Sequence, residues 1–441
     1  MALLGAQPLD VAWPRSGVDG LARTLGVLRI AVCLSWLLLV SPGVCAVFAE
    51  FPDALRFPPG IWDDVHVRVP VTPVIVWSAY ACFVPAAVVA LLGVGPRSAR
   101  AAMVVMLLTG GYLLSVPQFF GKVVHYHHVV WALVLVMVSP GAGVGAVSIW
   151  ALRGRAQTEA RGSEAPAWRY RIPVLALGVL LGVSYFFAGF WKLWVVGWEW
   201  SDAENLRNIL LAKWWETGHA PAAWLRPQSP LVLRAGGVAT IVFEMSFLPL
   251  VLLGGWWRRG VLLAGLVFHA GVQLTMEISF WHMAACYVAL VDWGGAARGV
   301  SWAGVPRRAS AWWSGVVACV CGFLVGVQAY DCAARREDWP FGVYPTFAVQ
   351  AGPTVETLTL RVDVPYQDVR ELTSQELGAH IGTSRARGLY LRVMHGGEVE
   401  RQGLWEAWRT LVPEFQGSRM DGPRVECVRA AVTLDGVAGV E

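Results

Sequence analysis

The stretch Pro173–Val196 reads PVLALGVLLGVSYFFAGFWKLWVV, and its 24 residues carry a single charge, Lys192. Wound as a helix rising about 1.5 Å per residue, it is long enough to cross the roughly 30 Å hydrocarbon core of a bilayer. Comparable apolar runs occur before and after it. They are expected near Thr24–Val47, Val71–Val94, Ala101–Phe120 and His127–Trp150 on the amino-terminal side. Leu231–Gly254, Gly260–Met276, a short run at Phe280–Trp293, and Trp312–Tyr330 follow. The expectation is a polytopic all-α membrane bundle of eight to nine transmembrane helices.

Composition agrees. The chain is 56% apolar and only 15% charged, against about a quarter charged in soluble domains, and its mean hydropathy is +0.51. A formal net charge of +4 is too small to point to nucleic acid. The abundant aromatics exclude disorder. Of 35 basic residues only Lys122, Lys192 and Lys213 are Lys, so Arg is the default cation. The Arg-, Ala-, Val-, Gly- and Trp-rich usage resembles that of bacterial proteins, and a plasma membrane is the expected home.

The loops fix an orientation. With residues 1–22 as a cytoplasmic segment, fourteen Arg fall in inner segments and six Lys or Arg in outer ones, as the positive-inside rule requires. Residues 1–22 have no short apolar core with a cleavage site, so no cleavable signal peptide is read. Nine spans then place residues 331–441 outside the cytoplasm. The short connection Glu277–Ser279 is the weakest point, because losing a span there inverts everything after it.

The outer loop after Val196 concentrates Trp. Trp191, Trp194, Trp198, Trp200, Trp214, Trp215 and Trp224 fall within 34 residues. Asn205–Trp215 has helical spacing with one apolar face, a helix lying in the interface. It is read either as part of an aromatic belt or as a lid over a lipid-accessible cavity.

Residues 23–330 thus form the transmembrane domain. Residues 331–441 are richer in charge and contain no Lys. Thr354–Val364, Leu389–Met394 and Glu426–Leu434 are expected as strands, and Asp368–Gly378 and Leu404–Phe415 as helices. Together they make a small extracytoplasmic α+β domain. Its two cysteines, Cys332 and Cys427, are expected to form a disulfide in an oxidising compartment.

Titratable groups inside apolar spans cost about 2.5–3.5 kcal/mol each on insertion scales and are functional candidates by default. Here they are Lys192, Glu244 and His269, with His127 and His128 opening the fourth span. All stand at depths compatible with one outward-facing cavity. Each also has a plainer role: a snorkelling cation, an interhelical hydrogen bond, interfacial helix-start residues, or an interior histidine. No HExxH, CxxC, Walker loop, nucleophile elbow or repeated histidine box is present, and no metal is expected.

At Tyr185–Leu193, YFFAGFWKL, the chain resembles the transmembrane domain shared by vitamin K-dependent γ-glutamyl carboxylases and the HTTM (horizontally transferred transmembrane domain) family. The family carries Y-F-x-A-G-x-x-K-L there. It also has a histidine opening an earlier span, matched by HHVVWAL, and F-H in a later one, matched by Phe268 and His269. The resemblance covers roughly residues 20–330. It implies a reduced vitamin K or related naphthoquinol as cofactor. Oxygen then gives a base strong enough to take the γ-proton of a glutamate in a peptide or protein substrate, to which carbon dioxide adds. It implies Lys192 as the first base and His128, with His127 second, as stabilisers of charge. His269, Glu244, Trp191 and Tyr185 are expected to line the cofactor cavity. A desolvated lysine can lose its proton, and a dry site protects a strong base.

Two departures separate this chain from the animal carboxylases. About 110 residues follow the last span, where those enzymes have a large lumenal domain. Beyond Trp339-Pro340-Phe341, which looks like a segment leaving the membrane, nothing there matches. The alternative reading is a non-catalytic quinone- or lipid-binding module that anchors the C-terminal domain in the membrane lipid. A small-solute transporter is the third, disfavoured by the lack of an inverted repeat.

Overall fold

The computed structural model describes residues 18–60, 70–121, 123, 126–144, 146–152, 168–217, 229–293, 311–336, 339–342, 348–363, 370–412, 415 and 424–433. His125, Trp224, Arg226 and the Arg-bearing segments 153–167 and 294–310 lie outside them. Among the described residues, seven helices are long and apolar enough to cross a membrane.

These seven are α1 (Val18–Leu39), α3 (Pro73–Leu92), α4 (Pro96–Ser115, extended by a 3-10 turn to Phe119), α6 (Trp168–Val195), α8 (Pro230–Leu253), α9 (Gly255–Met276) and α11 (Ala311–Ala333). Their ends follow local chemistry. Thr72 and Ser229 cap α3 and α8, their hydroxyls accepting from Ile75 N and Val232 N, and each is followed by a proline at the first helical position. Gly93 ends α3 in the left-handed region.

Three expected spans differ. The first is not continuous: α1 stops at Leu39, Ser41 is extended, and a separate α2 (Pro42–Ala49) begins. Pro42 has no N–H and disfavours a helical residue before it. The fourth is an α5 of only His127–Val138, because Ser139-Pro140 breaks the helix and Gly141 and Ala142 take positive φ. The eighth is α10 (Trp281–Cys286) with a 3-10 turn Tyr287–Leu290. The short α5 is tolerable because ten of its twelve residues are buried. A helix sheathed by protein need not match the hydrocarbon thickness.

The connections alternate between two faces. On one, Trp150 N donates to Gly93 O, Arg100 donates to Met137 O and Ser139 O, and Trp313 Nε1 donates to Val138 O. On the other, Phe57 N meets Phe119 O, Met276 packs with Trp200 and Ala351, and helix α7 (Ala203–Thr217) meets the C-terminal domain.

That domain is a three-stranded antiparallel sheet, β2–β1–β3, with helices α12 (Ser374–Ile381), α13 (Thr383–His395) and α14 (Glu398–Leu411). The strands are β1 (Thr354–Asp363), β2 (Arg370–Thr373) and β3 (Arg424–Thr433). Leu360 pairs with Leu372 on one side and Cys427 on the other. Alternation sends Leu358, Leu360 and Val362 inward, all fully buried. Leu389–Met394, expected as a strand, lies in α13 because Ala386, Leu389, Tyr390 and Val393 make a helical stripe. The expected helix Asp368–Gly378 is instead β2 followed by α12, with a Thr373–Glu376 capping box marking the change.

The domain docks closely. Gly121 has φ +85°, and a Cβ there would fall 2.4 Å from Arg385 O of α13. Only glycine meets both demands. Bundle and domain share one continuous apolar core.

Candidate functional site

The site begins with small residues on α6. A Cβ on Gly189 would lie 2.9 Å from Glu244 Cβ, and one on Gly182 2.6 Å from Leu248. Two turns apart, they let α8 approach α6 closely, as small residues do between membrane helices. One turn beyond Gly189, Lys192 Nζ donates to both Glu244 oxygens at 2.7 Å. Their side chains are only 5% and 7% exposed. The Trp200 ring lies 5.0 Å from the ammonium.

Two turns before Lys192 on the same face, Tyr185 shares its hydroxyl with His269 Nε2 and with the Tyr287 hydroxyl. Tyr287 also stands 3.3 Å from His269 Nε2. Gly265 on α9 permits this, since a Cβ there would meet the Tyr287 hydroxyl at 2.6 Å. His269 Nδ1 is buried with no hydrogen-bond partner among the described residues.

Tyr185, Lys192, Glu244 and His269 face one cavity of about 110 Å³. The remaining wall is mostly apolar, with Trp200, Phe268, Met276 and Phe280. Helix α7 closes one side with Leu206 and Ile209, and of the described Trp in this segment only Trp200 lines the cavity, while Trp194 and Trp198 are exposed. Thr240, Val272 and Met276, on α8 and α9, are half-buried members of the wall, as is Leu206.

The other expected residues lie elsewhere. His127 and His128 are fully buried but outside the cavity wall. His127 stacks on Trp131 at 5.9 Å, and His128 on His282 at 4.7 Å. Phe280 stands between that pair and the cavity, 6.3 Å from His282 and 5.3 Å from His269. Trp191 points away from the cavity: its indole donates to Cys332 O at 2.9 Å and carries Arg335 over its ring at 4.9 Å. Consecutive helical residues cannot share a face, so the Lys192 orientation excludes it.

The expected disulfide is not formed at Cys332. Its thiol is free and fully buried, held near Gln328 Nε2 at 3.1 Å and Gly342 O at 3.7 Å. It faces the bundle, whereas position 427 lies in the sheet opposite Leu360; the Cys427 side chain is outside the described residues. Tyr287 escaped the sequence reading, since an aromatic in an apolar run carries no distinguishing signal, and Trp200 was singled out only as one Trp of the outer segment. Among the described residues no group of three or more His, Cys, Asp or Glu is arranged to hold a metal ion.

Compared with known proteins, the chain matches no family model, no curated protein and no solved structure.

Proposed function

We propose that this protein is a membrane enzyme that handles a reduced naphthoquinone in the Lys192 cavity, with Lys192 as the proton-accepting residue. The observation that carries the reading is the convergence of the Lys192–Glu244 ion pair and the hydrogen-bonded Tyr185 and His269 on one mostly apolar cavity inside a bundle of membrane-length helices. It rests also on the YFFAGFWKL resemblance, which implies epoxidation of the quinol coupled to carboxylation of a glutamate-containing peptide or protein. Carbon dioxide and oxygen are the implied co-substrates.

The residues present suit a quinol. Lys192 with Glu244, and Tyr185 with His269, supply two polar stations separated by two helical turns, about 10 Å along the axis. A ring lying between them meets Trp200, Phe268 and Phe280. For scale, a cavity of about 150 Å³ holds one benzene ring. A bicyclic head group therefore also needs half-buried wall residues such as Thr240 and Met276 to give way. When bound, the quinol supplies with oxygen the strong base that the resemblance implies. This chain's residues do the rest. In the form whose ammonium proton has passed to Glu244, the neutral Lys192 amine accepts a proton at Nζ from the quinol hydroxyl, Glu244 holds that nitrogen in place, and the aromatic wall keeps water out. We place the N-terminus in the cytoplasm and the cavity, with the C-terminal domain, on the extracytoplasmic side of the plasma membrane.

One observation favours a second reading. Each charge of the pair satisfies the other, as in a structural anchor within a non-catalytic quinone- or lipid-binding module. Quinol turnover under oxygen, measured on purified protein with Lys192→Arg and Lys192→Ala, separates the two. Arg keeps the charge but cannot deprotonate. The catalytic reading expects an epoxide product from the parent protein and a folded, inactive Lys192→Arg. An active Lys192→Arg protein, or no turnover in the parent, leaves the anchor reading standing.

A further inference from the structure

A second cavity, of about 300 Å³, lies between the bundle and the C-terminal domain and is built from different helices. Ser41 and Cys45 wall it at the break between α1 and α2, Leu114 at the end of α4, Tyr126 ahead of α5, and Gly382 and Arg385 at the start of α13. The break makes the room, because the chain turns aside at Ser41-Pro42 instead of continuing upward. The tight seat of α13 on Gly121 holds Arg385 at this interface.

Arg385 is the unusual member. Among the described residues its guanidinium makes one hydrogen bond, from Nη1 to Ile381 O at 3.2 Å, and lies 5.3 Å from the Phe48 ring. Nε is buried with no hydrogen-bond partner among the described residues. No Asp or Glu lines the cavity among the described residues. Burial pushes the guanidinium below its ordinary value, with Tyr126 and Cys45 opposing that shift. The Tyr126 hydroxyl makes no hydrogen bond among the described residues; its ring packs edge-on against His282 at 4.9 Å. A half-buried cation with no counter-charge among the described residues is costly. Arg is also the side chain best shaped to hold a carboxylate or phosphate. Leu39, Leu113 and Leu114 form an apolar part of the wall, beside the polar Gln118 and His380. Ser41 and Val44 at the rim are exposed on the outside of the bundle.

We propose that this cavity binds the acid group of an anionic amphiphile, a carboxylate or phosphate carried on an apolar chain, with Arg385 and Tyr126 as its donors. The cation supplies the charge, the leucines receive the first carbons of the chain, and the rim at Val44 leads to the surface that lipid covers. The inference does not depend on the reading of Lys192.

The test uses the full chain purified in a neutral detergent. Its thermal midpoint is followed against octanoate, octanol, inorganic phosphate, and micelles doped with phosphatidylglycerol or phosphatidylcholine, since a ligand of the native state raises that midpoint. Octanoate or phosphatidylglycerol should stabilise the parent protein, while octanol and phosphatidylcholine should not. Arg385→Gln should weaken the apparent affinity at least tenfold and Tyr126→Phe several-fold. Arg385→Lys should retain part of it, and Arg392→Gln, an exposed cation on the same helix, should behave as the parent. A response to phosphatidylglycerol alone supports a membrane lipid as the source; a response to octanoate as well supports free carboxylates. Equal responses to inorganic phosphate and octanoate overturn the amphiphile assignment. No response in the parent, or equal responses in Arg385→Gln and Arg392→Gln, overturns the site. Should Arg385→Gln fail to fold, Tyr126→Phe and Val44→Trp, which blocks the rim, carry the same comparison.

Discussion

Removing one partner of the Lys192–Glu244 pair should destabilise the protein far more than removing both. Nζ sits 2.7 Å from each carboxylate oxygen, with both side chains under a tenth exposed. Breaking such a pair strands a buried charge, at a cost of about 3–5 kcal/mol. After Glu244→Leu the ammonium keeps the Trp200 ring, 5.0 Å away, which offsets about 0.5–2 kcal/mol. After Lys192→Met the carboxylate has no comparable partner, so this variant should be the worse of the two. Lys192→Met combined with Glu244→Leu replaces both charges with apolar atoms in an apolar wall, a change that is often neutral or stabilising. The coupling should therefore exceed about 3 kcal/mol, more than a hundredfold in the unfolding constant, above the usual range for neutral contacts. Titrating unfolding with an anionic denaturing detergent in mixed micelles reads all four proteins on one scale. Additive single losses would show that the two side chains do not meet, and with them the shared cavity wall would go.

The close approach of α6 and α8 gives a second test. Gly189→Val should push Glu244 and Met245 away, cost about 1–3 kcal/mol as overpacking does, and reduce quinol binding, while the exposed Gly43, with nothing within 4 Å of its added Cβ, should accept Ala without effect on either. Cys332 should stay unmodified by a thiol reagent in the folded protein and react once per chain after denaturation, since it is free and fully buried; mass mapping that finds it bridged refutes this placement. Sidedness is tested with membrane-impermeant maleimide on intact cells: a cysteine at exposed Glu376 should be labelled and one at exposed Ser98 should not.

Much of the bundle was legible because hydropathy over a span is a sum, insensitive to which residue contributes. Pro173–Val196 matches α6, and Leu231–Gly254 matches α8, within a few residues at each end. The breaks were less legible. Ser41-Pro42 and Ser139-Pro140 are visible as dipeptides, yet prolines also sit inside α3, α6 and α8 without ending them. Whether a proline breaks a buried helix depends on whether neighbours satisfy the freed carbonyls. In the C-terminal domain, Leu389–Met394 is a short apolar run of the kind that periodicity cannot assign. Only the stripe continuing back to Ala386 decides for helix. At the site, Lys192 and Glu244 were each visible as charges out of place. Their pairing was not, because it depends on Gly182 and Gly189 bringing two helices together. Trp191 was misplaced by adjacency in sequence, which on a helix separates side chains.

The scarcity of lysine in this chain does not by itself make Lys192 catalytic. Lys213 is also buried, and it pairs with Glu216, whose other oxygen accepts from Ser384 Oγ at 2.6 Å. That pair joins α7 to α13, and among the described residues Glu216 borders only a crevice of about 10 Å³, so we read the pair as structural. The chain therefore uses buried Lys–Glu pairs for holding as well as, on our reading, for chemistry. What distinguishes the Lys192 pair is its place in the wall of a mostly apolar cavity, with Tyr185 and His269 at a second station on that wall. An anchor gains nothing from a cavity at its side, because an adjoining void forfeits contacts. A proton acceptor needs one, since something must reach its nitrogen. Cavity and lysine thus argue for the quinol reading only together. The two lysines should then part company under the same substitution: Lys213→Arg leaves quinol turnover intact where Lys192→Arg abolishes it.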